Sequence, residues 1–148
     1  MAIKSTVDYA VREYQKAKDK GERLLLVAGS YTIGKERIYL SIAQRLGLKV
    51  YVDSQRYKVL SALNWPADQM ALLTTKRDES VLWVVPLGHI NFKRLPPYLY
   101  GLSQAKNPIR KFDRVIGFRP TGWSYTPGNS ILSNRTSGRL TVASVPYR

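Results

Sequence analysis

The chain has 148 residues, and its 44% hydrophobic and 11% aromatic content suffices for one domain with a hydrophobic core and excludes a wholly disordered chain. No apolar run approaches the roughly 18 residues that cross a bilayer, and the first residues lack the apolar core of a secretory signal. The absence of cysteine excludes disulfides and thiolate metal sites and is typical of an intracellular protein. We therefore expect a single intracellular domain over residues 1–148, without a membrane partner.

Positive charge dominates the chain and is unevenly distributed along it. The net charge is +14, from 24 Lys and Arg against 10 Asp and Glu. Residues 1–79 carry 14 basic and 9 acidic side chains, a net of +5, whereas residues 80–148 carry 10 basic side chains and one acid, Asp113, a net of +9. A half-chain almost free of acids favours a polyanionic partner through counterion release, and therefore indicates nucleic acid. The alternative is a basic surface that is simply solvated.

The chain opens with a helical pattern and continues into a strand. Ser5 is the predicted N-cap of the helix and Gly21 its predicted stop. Residues 23–28 contain an uninterrupted apolar run, which is typical of a strand covered on both faces. The apolar residues at helical spacing are Ile3, Val7, Ala10, Val11 and Tyr14.

Strand and helix patterns then alternate along the chain. A Gly-containing loop at 29–36 leads into a helix that ends at Gly47. Residues 120–138 are rich in Gly, Ser, Asn, Thr and Pro, which predicts a loop with a flexible part at 124–138. Further strands are predicted at 49–52, 71–75, 81–87, 113–118 and 139–145, and further helices at 57–63 and, shortened by Pro96 and Pro97, at 91–102. This alternation predicts a three-layer α/β fold, a mostly parallel sheet with helices on both faces.

The segment G-S-Y-T-I-G-K-E at 29–36 matches the first seven positions of the phosphate-binding loop G-x-x-x-x-G-K-[ST]. Glu36 stands at the eighth position, where it removes the magnesium-binding hydroxyl and adds a negative charge beside the phosphate. The helix N-terminus and Lys35 could still attract a single phosphate. The alternative is a tight strand–helix turn in which Lys35 and Glu36 are solvated.

The segment F-R-P-T-G-W at 118–123 and the lone histidine are the other candidates for a site. Arg119 could pair with a phosphate and Trp123 could stack on a base. The alternative is that Phe118 and Trp123 belong to the core and that Arg119 forms a local salt bridge. His89 has no second histidine or cysteine with which to hold a metal, so we expect it to be a structural residue at a strand end.

Several segments, read in order, resemble one known family. They are residues 24–36 and 49–53, V-V-P-L-G-H-I-N-F at 84–92, F-R-P-T-G-W at 118–123 and V-P-Y at 145–147. The patterns G-[ST]-Y-[ST]-I-G-K-E and F-[RS]-P-T-G-W are specific. On these motifs the chain resembles the DNA-repair metallo-β-lactamase region of the DNA interstrand cross-link repair nucleases, the relatives of Artemis and Apollo.

The resemblance implies a β-CASP-like arrangement, a nuclear location and, in the intact enzyme, trimming of DNA from a 5′ end. It also implies a zinc-type metal held by a His-x-His-x-Asp-His motif, which this sequence does not contain. The family motif P-Y-S-E-H-S-S is matched only by Pro146 and Tyr147, with Arg148 where the serine would stand. We therefore expect the chain to bind no cofactor, to break off at the edge of the active site and to be catalytically silent alone.

The expected role is that of a DNA-binding wall completed by the missing metallo-β-lactamase core. The expected DNA is single-stranded or 5′-phosphorylated. Because ligands bind at the carboxyl ends of parallel strands, we expect phosphate contacts at strand ends and in the two motifs. The residues in question are Thr32, Lys35, Arg119, Thr121, Trp123 and Tyr147. Two other functions remain open, a stand-alone nucleic-acid- or protein-binding module derived from the family and a nucleotide-binding phosphate loop.

Overall fold

The computed structural model describes residues 2–30, 36–103, 105–121 and 133–146. The α-helices are α1 (Ala2–Asp19), α2 (Glu36–Leu46), α3 (Ser54–Ala62) and α4 (Ala67–Met70). Short 3-10 helices cover Arg77–Glu79, Leu87–His89 and Pro96–Tyr100. The strands are β1 (Leu24–Ser30), β2 (Val50–Tyr51), β3 (Leu73–Thr74), β4 (Leu82–Pro86), β5 (Arg114–Thr121), β6 (Ser133–Ser137) and β7 (Leu140–Pro146).

The described strands form one seven-stranded sheet in the order β3-β2-β4-β1-β5-β7-β6. Every pairing is parallel except that of β6 with β7, which is antiparallel. All residues of β1 are buried, as expected of a central strand covered on both faces. The predicted α/β class with a mostly parallel sheet is therefore confirmed.

Two apolar layers cover the sheet, one on each face. On the first face, α1 and α2 pack against each other and against β1, over alternate strand residues such as Leu26, Val84 and Phe118. The second face carries the intervening residues, such as Leu25 and Trp83, and is covered by the segments that include the 3-10 helices Leu87–His89 and Pro96–Tyr100. The prolines that open the latter helix explain why this cover is short and not α-helical.

Capping explains where the sequence misplaced helix ends. The predicted N-cap Ser5 is wrong, because α1 begins at Ala2 and includes Ser5. The predicted stop at Gly21 is confirmed by its φ of 70°, which a glycine adopts without the cost a Cβ would bring. Helix α3 begins before the predicted residue 57, because the carboxylate of Asp53 accepts the N–H of Arg56 at 2.7 Å and caps it there.

The loop predicted at 120–138 is wrong at both of its described ends. Strand β5 continues to Thr121 because its last residues pair with β7, where Pro120 lies opposite Val145. Residues 133–137 form β6, which enters the sheet at its edge and is joined to β7 by a turn at Gly138 with a φ of 61°. The remainder of the predicted flexible segment, residues 124–132, lies outside the described residues. None of the helices in the described ranges combines the length and apolarity needed to cross a bilayer.

Candidate nucleic-acid interface

A polar cavity lies on the second face of the sheet, toward the carboxyl ends of β5 and β7. Its volume is about 270 Å³. Arg119 and Arg135 line it together with two asparagines and a serine, and none of its described lining residues is acidic. The other described lining residues are Ile90, Asn91, Phe92, Asn134, Val142 and Ser144. A cavity with cationic and hydrogen-bonding walls has the chemistry that a phosphate requires.

The strand register brings the two arginines to one face. Arg119 of β5 lies opposite Ser144 of β7, and Arg135 of β6 lies opposite Val142 of the same strand. Residues directly opposite each other, and residues two apart on one strand, point to the same side of a sheet. The two guanidinium groups therefore flank β7, on Cα atoms that standard strand spacings place on the order of 12 Å apart.

The nearest acid in this half of the chain lies at the opposite end of β5. Asp113 precedes that strand and accepts the backbone N–H of Arg23 at 2.8 Å. Its hydrogen bonds to the backbone and side chain of Arg23 lower the pKa of Asp113, and it pairs with Arg110 as well. The strand separates it from Arg119 by roughly 20 Å. Within the described ranges Arg119 is exposed and has no carboxylate partner, so the alternative of a local salt bridge finds no support there.

The other sequence-derived contacts are placed only in part. Thr121 is the last residue of β5, with its side chain outside the description. Phe118 is fully buried and packs edge-on against Tyr9 at 6.2 Å between ring centroids, which makes it a core residue. Thr32, Lys35, Trp123 and Tyr147 lie outside the described residues. Sequence reasoning missed Arg135 because it assigned that residue to a loop, where no register could align it with Arg119.

The start of α2 does not resemble a phosphate-binding helix terminus. Glu36 occupies the first turn and is only 5% exposed, so the alternative in which Glu36 is solvated is wrong. Its carboxylate complements the positive end of the helix dipole from within the fold. An acid at this place repels a phosphate, which counts against a nucleotide-binding loop.

His89 is held by two neighbours after the end of β4. Its Nδ1 lies 2.8 Å from the hydroxyl of Tyr98, and its Nε2 lies 3.0 Å from Nη2 of Arg94. Burial, and then the charge of Arg94, lower the pKa of His89 below its ordinary value. A neutral imidazole bonded through both nitrogens agrees with the expected structural role.

Comparison with known proteins bears on the part of the chain that holds this cavity. The family described as DNA repair metallo-beta-lactamase matches residues 67–148, which include every described residue that lines it. The chain belongs to this family.

Individual relatives of the DNA repair metallo-beta-lactamase family extend the similarity to nearly the whole chain. The DNA cross-link repair 1A proteins of Mus musculus and Gallus gallus are each 35% identical over 146 residues, or 95% of this chain. The DNA cross-link repair protein SNM1 of Arabidopsis thaliana is 32% identical over 145 residues, again 95%. The chain spans 13%, 14% and 28% of these three proteins, respectively.

The metal that the family name implies does not fit the residues described here. No group of three His, Asp or Glu side chains within the described ranges is arranged to hold a metal ion. The single histidine has both ring nitrogens engaged, one of them by a guanidinium whose charge would repel a cation. We therefore assign no chemical step through a metal to these residues.

Proposed function

We propose that this chain is the DNA-binding portion of a metal-dependent 5′ DNA exonuclease of the cross-link repair type, acting in the nucleus. Its part is to bind the sugar-phosphate backbone, while the metal ligands belong to a metallo-β-lactamase core outside this sequence. The chain alone binds DNA and does not cut it. The DNA is single-stranded or carries a 5′ phosphate.

One observation carries the proposal: Arg119 and Arg135 line a cavity in which no described residue is acidic. A guanidinium donates two parallel hydrogen bonds to the oxygens of one phosphate, whereas a lysine acts as a point charge. Both arginines stand on strands, which hold side chains more rigidly than loops do. Ser144 and Asn91, which also line the cavity, add neutral donors without neutralising the charge.

The distribution of charge supports the same partner. Residues 80–148 carry a net charge of +9, and their one acid, Asp113, is engaged by Arg23 and Arg110 at the far end of β5. The surface near the cavity is therefore positive without a local counter-charge from that half of the chain. The named relatives act in the repair of DNA cross-links, which makes DNA the polyanion to test first.

The test is a fluorescence-anisotropy titration of a 5′-phosphorylated single-stranded oligonucleotide with the 148-residue chain and its variants. Arg119→Ala and Arg135→Ala should each weaken binding about tenfold, since a charge-assisted hydrogen bond contributes about 1.5 kcal/mol or more. The affinity of Arg119→Lys should lie between those of the wild type and Arg119→Ala, because lysine keeps the charge and loses the paired donors.

Lys20→Ala is the matched control, because it removes an exposed positive charge beside the amino end of β1. The cavity lies toward the carboxyl ends of the strands, at the other end of the sheet. Its affinity should stay within about twofold of wild type if the cavity carries the binding. Equal losses of affinity in Lys20→Ala and Arg119→Ala would mean that binding depends on the overall positive charge and not on the cavity, and would contradict the proposal. A parallel nuclease assay with added zinc or magnesium should show no cleavage. Metal-dependent cleavage that co-purifies with the chain would contradict the proposal that this chain binds DNA without cutting it.

A further inference from the structure

The turn that follows β4 bonds the backbone of an arginine to a residue that lines the cavity. The side-chain oxygen of Asn91 accepts the backbone N–H groups of Lys93 and Arg94 at 3.0 and 2.8 Å, and its amide donates to the carbonyl of Gly88 at 2.9 Å. Asn91 is thus bonded on both sides within the turn and also lines the cavity of Arg119. The same side chain therefore fixes the start of the turn and joins the backbone of Arg94 to a residue of the cavity wall.

The guanidinium of Arg94 is held by an imidazole. In the described ranges Arg23, Arg45 and Arg114 pair with carboxylates at 3.4 to 3.6 Å, whereas Arg94 bonds Nε2 of His89 at 3.0 Å. A carboxylate orients a guanidinium and cancels its charge. A neutral imidazole orients it and leaves the charge intact. Arg94 is exposed, so this charge faces solvent.

The protons in this array are determined by the chemistry of arginine. A guanidinium can only donate, so Nε2 of His89 accepts and carries no proton. A neutral imidazole then carries its proton on Nδ1, which donates to the hydroxyl of Tyr98. Tyr98 is only 2% exposed, so the phenol fixes the ring from the core side. The chain of contacts runs from the buried phenol through the imidazole to the exposed guanidinium.

We propose that Arg94 is a further phosphate contact for the DNA backbone beside the Arg119 and Arg135 cavity, and that His89 is its positioning residue. This inference rests on the proposed DNA-binding function. His89 does not touch the DNA. It holds the guanidinium in one orientation before the phosphate arrives, which lowers the entropy lost on binding.

The first part of the test observes the imidazole directly. His89 is the only histidine of the chain, so the ring-nitrogen spectrum of the untagged, 15N-labelled protein has no overlapping signals. We expect at neutral pH a protonated Nδ1 and an unprotonated Nε2, and in Arg94→Ala a loss of this strict preference. A proton on Nε2 in the wild-type protein would overturn the inference whatever the DNA binding, because Arg94 could not then be held there.

The second part measures DNA binding of variants that differ only in this array. Arg94→Ala should weaken binding about tenfold and make the slope of log K against log salt less steep by about 0.7, the contribution of one phosphate contact on a single strand. His89→Leu, which removes the acceptor for Arg94, should weaken DNA binding severalfold. His89→Gln should stay near wild type, because its amide oxygen can still accept from Arg94. The control is again Lys20→Ala, and the thermal melting of every variant shows that it is folded.

The outcomes separate the two proposals. If the wild-type chain does not bind the oligonucleotide, both the proposed function and this inference are contradicted. If the wild type binds, Arg119→Ala weakens binding and Arg94→Ala does not, only the inference fails. If His89→Gln is as weak as His89→Leu, the acceptor is not what matters, and the positioning role of His89 is overturned.

Discussion

Two buried tyrosine hydroxyl groups in this chain differ in whether they have a partner. The hydroxyl of Tyr39 is fully buried and has no hydrogen-bond partner in the described part of the chain. Burial, and then the nearby Glu36 carboxylate, raise the pKa of Tyr39. The hydroxyl of Tyr98 is bonded to His89, and burial raises the pKa of Tyr98 to about 12.

Removing each hydroxyl should therefore change stability in opposite directions. Tyr39→Phe should raise the free energy of unfolding by about 1 kcal/mol, because an unbonded buried polar group is costly. Tyr98→Phe, the matched control, should lower it by about the same amount, because it breaks a bond. Urea denaturation followed by circular dichroism measures both. A destabilised Tyr39→Phe would mean that this hydroxyl has a partner in solution.

The single histidine gives stability a pH dependence whose sign follows from its environment. The folded-state pKa of His89 lies below its ordinary value of 6.5, because of burial and of Arg94, which faces it together with Tyr98. The unfolded chain then binds the proton more readily than the folded one. The stability that neutral His89 contributes is therefore fully present above pH 6.5 and is lost as the pH falls through the lowered pKa. Urea midpoints at constant ionic strength should fall below that pH in the wild type and fall less in His89→Gln. Parallel curves for the two proteins would contradict this origin.

The sequence predicted some site residues and not others for identifiable reasons. Arg119 could be inferred because it follows the apolar strand pattern of β5, and strand ends collect binding residues. Arg135 could not be inferred, because its position opposite Val142 depends on the pairing of β6 with β7, which no local sequence pattern indicates. The contact of Arg94 with His89 spans five residues, but it depends on the turn capped by Asn91, which the sequence reading took for part of a possible helix.

At the level of elements, two glycines let the turn after β4 pack closely against the sheet. A Cβ at Gly29 of β1 would lie 2.7 Å from Cγ1 of Ile90 and 3.2 Å from the backbone Cα of Leu87. A Cβ at Gly117 of β5 would lie 2.9 Å from Cγ2 of Ile90. Ile90, which is 1% exposed, thus packs over the bare backbone of two neighbouring strands and fixes the segment that carries His89.

We expect Gly29→Ala and Gly117→Ala each to lower the free energy of unfolding by about 1 to 3 kcal/mol, as overpacking does. Gly29→Ala should cost more, because it also meets backbone atoms that cannot rotate away. Gly88→Ala is the control within the same turn, since a Cβ there meets nothing within 4 Å. Denaturation midpoints measure all three. Equal stability of Gly29→Ala and Gly88→Ala would show that the turn can move off the sheet at no cost.

Elements with an apolar pattern were predictable, and polar edge elements were not. The apolar run of β1 and the helical spacing of Ile38 and Ile42 in α2 identify both elements, because their apolar side chains are buried. Strand β6 reads S-N-R-T-S and lies at the edge, with the described side chains exposed, so only its pairing with β7 makes it a strand. The short helix at 96–100 was indicated by Pro96 and Pro97, and the packing of Tyr98 and Leu99 against the second face accounts for its place in the fold.

For the whole molecule, the charge distribution predicts how DNA binding responds to salt. If Arg94, Arg119 and Arg135 each neutralise one phosphate of a single strand, log K should fall against log salt with a slope of about −2. The triple variant with alanine at these three positions should show a nearly flat dependence. Titrations at three or more salt concentrations give the slope. A steep slope that survives the triple variant would place the phosphate contacts elsewhere on the chain.

The order of strands in the sheet also bears on how the chain folds during synthesis. Strand β1 is entirely apolar in its first five residues, yet its two neighbours, β4 and β5, are translated much later. The contact between Arg23 and Asp113 at the start of β1 and β5 spans 90 residues, which take on the order of 5 to 20 s to translate. Until β4 is translated, neither of the two strands that pair with β1 is present, and its apolar residues lack their partners in the sheet. Synonymous changes that slow translation between β1 and β4 should therefore increase aggregation more than the same slowing after β5.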